Sequence, residues 1–175
     1  MTVDHYMPDF ALEAVYDLTV EDLRKHGIRA VLVDLDNTLI AWDNPDGTPE
    51  MRAWLHRMRD AGITIVVVSN NTTERVQRAV EKFGIDYVAW AMKPFNFGIK
   101  KAMQRYQLKP EETVMVGDQL MTDIRAAHRA GIRSILVKPL VQTDSNKTKF
   151  NRWREKQILK KREATDGPLV FKKSL

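Results

Sequence analysis

Four short runs of apolar residues, each closing on polar groups, constrain the fold of this chain more than any other feature. They are residues 30–34 (Ala-Val-Leu-Val-Asp), 63–68 (Ile-Thr-Ile-Val-Val-Val), 113–116 (Thr-Val-Met-Val) and 134–138 (Ser-Ile-Leu-Val-Lys), with residues 86–90 as a weaker fifth. Runs that do not alternate with polar residues are strands covered on both faces, the pattern of a parallel sheet. Between them apolar residues recur at helical spacing. Met51, Trp54, Leu55 and Met58 form one stripe, Val76, Ala79, Val80 and Phe83 a second, and Ile99, Ala102, Met103 and Tyr106 a third. A fourth helix is predicted over residues 121–130. Gly62, Gly84 and Gly131 stand where helices should end in a left-handed cap. Thr19-Val20-Glu21-Asp22 has the form of a capping box that opens a short helix ending at Gly27. Repeated strand–helix–strand units imply a doubly wound parallel α/β sheet, whose ligands lie beyond the carboxyl ends of the strands.

The 175 residues suffice for one such domain plus an appendage. With 43% hydrophobic and 29% charged residues the composition is that of a globular protein, and the absence of cysteine excludes disulfides and thiolate metal sites. The longest apolar run is too short to span a bilayer. Asp4, Pro8 and Asp9 stand where a signal peptide would be basic and then apolar, so the chain reads as cytoplasmic. Charge is unevenly placed. Residues 1–137 hold 17 Lys/Arg and 19 Asp/Glu, whereas residues 138–175 hold 11 and 4. Residues 1–138 are therefore expected to form the core domain, and residues 139–175 a basic helical tail. Such a tail suits phosphates on lipid or nucleic acid. Phe150 and Trp153 stand at helical spacing among Lys147, Lys149, Arg152, Arg154 and Lys156. If they face outward they would insert at an anionic surface, peripheral to a membrane; packing on the domain is the preferred expectation.

The strand ends carry the chemistry. Asp34-Leu35-Asp36-Asn37-Thr38 closes the first strong strand, and carboxylates one residue apart at a strand end can face one cleft. Turn preference explains one of the pair. The next strand ends in Ser69-Asn70, a hydroxyl just before a helix start, where backbone N–H groups favour an anion. Asn71, Thr72 and Thr73 are better placed to cap that helix. Lys93-Pro94 follows the weak strand; alone this is an ordinary surface lysine, but there it can hold a phosphoryl oxygen as a point charge. The fourth strand ends in Gly117-Asp118, with Asp123 about one helical turn on and Gly117 allowing a sharp turn. Crowded acids of this kind repel by about 4 kcal/mol per pair at ~4 Å and an effective dielectric near 20. A divalent cation would relieve that, and an all-oxygen donor set selects Mg²⁺. His5, His26, His56 and His128 lie away from the strand ends.

Asp-x-Asp-x-Thr, Ser69, Lys93 and Gly-Asp-x-x-x-Thr-Asp, in this order over residues 30–138, resemble the four motifs of the haloacid dehalogenase superfamily. The whole chain, with Pro8 and the basic tail, resembles YqeG-type proteins of subclass IIIA, which are similar to the mitochondrial phosphatidylglycerophosphate phosphatases. The resemblance implies a phosphatase in which Asp34 forms an aspartyl-phosphate and Asp36 is general acid and base. It implies Mg²⁺ held by Asp34, the Asp36 carbonyl and Asp118, with Asp123 in support. Ser69, Asn70, Lys93 and the backbone N–H groups around Asn37 would hold phosphoryl oxygens. About thirty residues separate Asp36 from Ser69, room for a hairpin at Asn44-Pro45-Asp46-Gly47 and one helix but not for a cap domain. An open site suits a bulky phosphorylated substrate, unless a neighbour in a homo-oligomer covers it. A soluble metabolite or a polynucleotide end is the rival substrate. The rival of another kind is an RNA- or ribosome-binding protein built on a phosphatase fold.

Overall fold

In the computed structural model residues 3–141 and 146–175 are described, residues 3 and 146–148 by backbone alone. Six strands form one parallel sheet: β1 (Phe10–Leu12), β2 (Ala30–Val33), β3 (Thr64–Val68), β4 (Asp86–Val88), β5 (Thr113–Gly117) and β6 (Arg133–Val137). Their spatial order is β1-β6-β5-β2-β3-β4. From β2 the chain winds outward through β3 and β4, then returns to the other side of β2 as β5 and continues to β6. The order therefore reverses between β2 and β5, where Val31 stands level with Val114 and Val33 with Val116. A crevice opens beyond the strand ends at such a reversal.

The helices are α1 (Val20–Lys25), α2 (Pro49–Asp60), α3 (Thr73–Val80), α4 (Phe97–Arg105), α5 (Arg125–Ala130) and α6 (Asn146–Asp166). Successive strand residues enter opposite cores. Val31, Val33, Val67, Val114 and Val116 pack with Leu23 of α1, the Met51–Met58 stripe of α2 and Val76 and Val80 of α3. Leu32, Val66, Val68 and Met115 pack with Ile99 and Ala102 of α4 and Ala126 and Ala127 of α5. Burial on both faces explains the unbroken apolar runs.

Local signals act as their chemistry requires. The Thr19 side chain accepts from the Asp22 N–H (3.0 Å) and Asp22 accepts from the Thr19 N–H (3.3 Å), closing the capping box. Thr72 caps α3. The fourth predicted helix begins as a wider π turn over Leu120–Ile124 before α5. Residues 44–47 form turns but pair no strands among the described residues, so the expected hairpin is a turn-rich loop. Its flanks lack the apolar alternation that would hold two strands in register. β1, of three residues, carries too little pattern to be read from sequence.

The basic C-terminal segment lies against the core. The Leu140 N–H donates to the Asn37 carbonyl (3.0 Å), and Lys172 pairs with the edge strand through Ala11 and Glu13 (2.9 and 3.0 Å). Leu159, Leu169 and Phe171 pack on Leu120, Ile124 and Leu136. Phe150 and Trp153 do not join this packing. They are 64% and 59% exposed and stacked on each other, ring centroids 6.2 Å apart, which overturns the expectation that they pack on the domain. Arg152 and Glu155 take the inward positions instead. The Lys147 side chain and residues 142–145 lie outside the described residues. No helix among the described residues is long and apolar enough to cross a membrane.

Trp54 ties α2 to the rest of its core layer. It is fully buried, meets Tyr16 edge-on, and its Nε1 donates to the Leu18 carbonyl at 2.9 Å. Trp54→Phe leaves that carbonyl unpaired and a gap beside it, an expected loss of about 2–4 kcal/mol. Urea unfolding followed by circular dichroism measures it; a loss below ~1 kcal/mol would contradict this account.

Candidate active site

Asp34 follows β2 directly, its N–H still in the ladder with the Val116 carbonyl (2.9 Å). Asp118 follows β5, so the two acids face each other across the reversal point. Asp123 arrives from the π turn, its backbone N–H bonded to the Gln119 carbonyl (3.0 Å) and its Oδ2 accepting from the Gln119 N–H (3.1 Å). This turn folds the acid back onto Gly117: a Cβ there would stand 2.2 Å from the Asp123 carboxyl carbon. Close approach is thus what requires glycine at 117. Its φ is not among the positive ones, so the sharp turn expected from sequence is not the reason.

Lys93 enters from the loop after β4 with its ammonium buried. It donates to Asp34 Oδ1 (2.8 Å), Asp123 Oδ1 (2.7 Å) and the Val68 carbonyl (2.7 Å), which engages all three of its N–H groups. Asn70 fixes the backbone of Lys93 from both sides, accepting from its N–H and donating to its carbonyl at 2.8 Å each. The Asn70 side chain therefore serves the lysine loop. Ser69 is buried at the end of β3, its Oγ accepting from the Asn71 N–H at 3.1 Å. Asn37 takes a left-handed conformation (φ 61°), and its N–H donates to the Ile40 carbonyl at 2.7 Å. It shapes the turn that presents Asp36.

Asp36 stands at the mouth, its side chain 30% exposed, bonded to Asn71 and to Arg75 (2.6 Å). Asn71, Thr38, Arg75 and Arg152 meet the acids but had no part in the site expected from the sequence. Thr38 donates to Asp118 Oδ1 (3.1 Å), and its place in the Asp-x-Asp-x-Thr string was the available signal. Arg75 and Arg152 carried none, being two among many arginines. Arg152 of α6 pairs with the Asp118 carboxylate and donates to its main-chain carbonyl (2.7 Å).

Carboxylate oxygens of Asp34, Asp118 and Asp123 lie within 4.8 Å of one another, and all three residues are buried. A cluster of hard anionic oxygens at this spacing fits Mg²⁺. Burial pushes Asp34 up to about 6, with Lys93 drawing it back and Asp118 adding to the rise. Burial likewise raises Asp118 and Asp123, each also disfavoured by a neighbouring acid. Burial works against the charge on Lys93, but Asp123 and Asp34 outweigh it and hold the ammonium firmly protonated. The repulsion expected among the acids is therefore partly met by two fixed cations, Lys93 and Arg152, before any metal ion.

A family model described as haloacid dehalogenase-like hydrolase matches residues 8–131. The probable phosphatase YqeG of Bacillus subtilis (strain 168) is 37% identical over 154 residues, covering 88% of this chain and 90% of that protein. Among solved structures, NagD from E. coli K-12 aligns with a TM-score of 0.55 at 18% identity, over 66% of this chain and 90% of that one. An uncharacterized protein from Listeria monocytogenes serotype 4b aligns at 0.54 and 23% identity, over 67% and 84%. These two structural likenesses speak for the fold alone.

The raised carboxyls give a pH dependence with a definite sign. Between the unfolded value near 3.9 and the folded value of about 6, Asp34 binds a proton in the folded state but not in the unfolded one. Its contribution to stability is complete below pH ~4 and lost as pH rises past about 6. In chelator, Asp34 is expected to make the protein about 1 kcal/mol more stable to urea at pH 5 than at pH 7.5. Asp34→Asn should shrink the pH 5 to 7.5 difference by that amount. An unchanged difference would show that Asp34 does not titrate there.

Proposed function

The chain belongs to the haloacid dehalogenase-like hydrolases and is a phosphatase, and we propose that it hydrolyses phosphomonoesters through an aspartyl-phosphate on Asp34 with Mg²⁺. The observation that carries this reading is the position of Asp34. It ends the central strand at the sheet's reversal point, bonded to Lys93 and within 4.8 Å of the Asp118 and Asp123 carboxylates.

Asp34, Asp118 and the Asp36 main-chain carbonyl would hold Mg²⁺, with Asp123 in support. Bound there, the ion supplies positive charge opposite the phosphoryl oxygens. A carboxylate oxygen of Asp34 attacks phosphorus as the bond to the leaving oxygen breaks, and the Asp36 carboxyl gives its proton to that oxygen. Asp36 then takes a proton from water, which attacks phosphorus and releases phosphate from Asp34. The first step leaves Asp36 as the carboxylate that the second step needs, and the second step returns its proton. Lys93 gives up one of its three bonds to a phosphoryl oxygen. Ser69 Oγ and the backbone N–H groups of Leu35 and Asp36 receive the others, placed for the charge that develops in transfer.

The substrate we propose is a phospholipid head group, phosphatidylglycerophosphate, met at an anionic membrane surface. Its support is two sets of exposed apolar side chains. Trp90, Met92 and Phe95 on the loop that carries Lys93 and Phe97 at the start of α4 are exposed, as are Phe150 and Trp153 on basic α6. Apolar side chains among Lys and Arg suit an interface of acyl chains and phosphates.

Asp34→Asn is expected to abolish hydrolysis of an aryl phosphate while leaving the circular dichroism spectrum intact; wild-type turnover would refute the nucleophile. Excess chelator should likewise stop the wild type, and Asp118→Ala should raise the Mg²⁺ requirement far more than Lys93→Ala. For the surface, the full chain should co-sediment with anionic vesicles, less so as salt rises, and not with neutral ones. Replacing Phe150 and Trp153 by Ser should weaken binding. Equal binding to both vesicle types ends the membrane reading, and salt-sensitive binding of RNA alone favours a polynucleotide substrate.

A further inference from the structure

One turn of α6 grips the loop that supplies the metal-site acids. Arg152, its side chain 19% exposed, donates through Nη1 to the main-chain carbonyl of Asp118 (2.7 Å) and through Nη2 to its carboxylate. The same Nη1 reaches Glu155 Oε2 at 3.3 Å. Glu155 is 6% exposed, and its other oxygen accepts the Met121 N–H at 3.1 Å. The planar fork of arginine allows one side chain to hold both a carbonyl and a carboxylate, which a lysine ammonium does less well.

The charges in this pocket have a definite balance. Asp34, Asp118, Asp123 and Glu155 face Lys93 and Arg152, while Asp36 is matched at the mouth by Arg75. Among the described residues four carboxylates against two cations leave two negative charges, which one divalent ion would cancel. A phosphoryl group then brings its own negative charge into the same space. Fixed cations therefore weaken the hold on the ion and strengthen the hold on phosphate.

We propose that Arg152 is the fixed counter-charge of the active site, a positioning residue on the C-terminal helix that trades metal affinity for phosphate affinity. This rests on the site being the Mg²⁺ and phosphate site described above. Arg152 acts through charge more than through support, because Asp118 is also held by Thr38 on its other oxygen (3.1 Å) and by the end of β5. Removing the arginine leaves Asp118 in place and adds one net negative charge to the pocket.

Isothermal titration of Mg²⁺ into the full-length protein, and of inorganic phosphate at saturating Mg²⁺, reads both affinities without turnover. Arg152→Met should tighten Mg²⁺ binding and weaken phosphate binding, roughly tenfold in each direction. Arg152→Lys, which keeps the charge, should return both close to wild type. If Met at this position prevents folding, Arg152→Gln keeps hydrogen-bonding groups without the charge and carries the same expectation. Loss of both affinities together in the neutral variants would make Arg152 a structural prop and overturn the proposal, as would no change in either. A wild type that binds neither ligand overturns the reading of the site, and the proposal with it; a wild type that binds both, with unchanged variants, overturns the proposal alone.

Discussion

The Lys93 ammonium, lodged between Asp34 and Asp123, is the interaction on which the rest of the site depends. Burying several carboxylates at one end of a sheet is strongly unfavourable unless each finds a partner, and removing one partner of a buried ion pair typically costs about 3–5 kcal/mol. The lysine answers this for acids 59 and 30 residues away in sequence, while also bonding the end of β3 through the Val68 carbonyl. The loops after β2, β3, β4 and β5 therefore meet through one side chain. Asn70 holding the lysine backbone and Gly117 making room for Asp123 are both consequences of getting that ammonium into place.

This crowding can exist because the sheet is parallel and doubly wound. Every strand delivers its carboxyl end to the same side, and the reversal between β2 and β5 leaves a crevice there instead of a covering helix. The apolar runs do two jobs at once. Their alternate side chains fill two separate cores, and their lengths set the level at which the polar chemistry begins.

Much of this was legible in the chain because it is written locally. An unbroken apolar run with an acid at its end specifies both a buried strand and the place of its functional group. Asp34, Lys93, Asp118 and Asp123, which meet in one buried cluster, could be gathered from strand ends alone. What could not be read depends on contacts between distant segments. Asn37 and Asn70 look like ligand-binding amides but spend their hydrogen bonds on the turn around Ile40 and on the Lys93 backbone. The faces of α6 are hidden from the sequence for a similar reason: Phe150 and Trp153 are the apolar residues of that stretch, yet the inward position goes to an arginine with a buried acid to meet. Hydrophobic periodicity is silent about a helix that docks through a charge pair.

The docking of α6 also bears on when the protein becomes competent during its synthesis. Every acid of the cluster has been added to the chain by residue 123, but the residues that meet Asp118 and Met121 from α6 are Arg152 and Glu155, and the strand-edge contact of Lys172 comes later still. A nascent chain thus holds its crowded carboxylates without the last of their counter-charge until α6 emerges. A helix made after every one of these acids closes over them, so that the order of synthesis sets the crowding in place before its full relief.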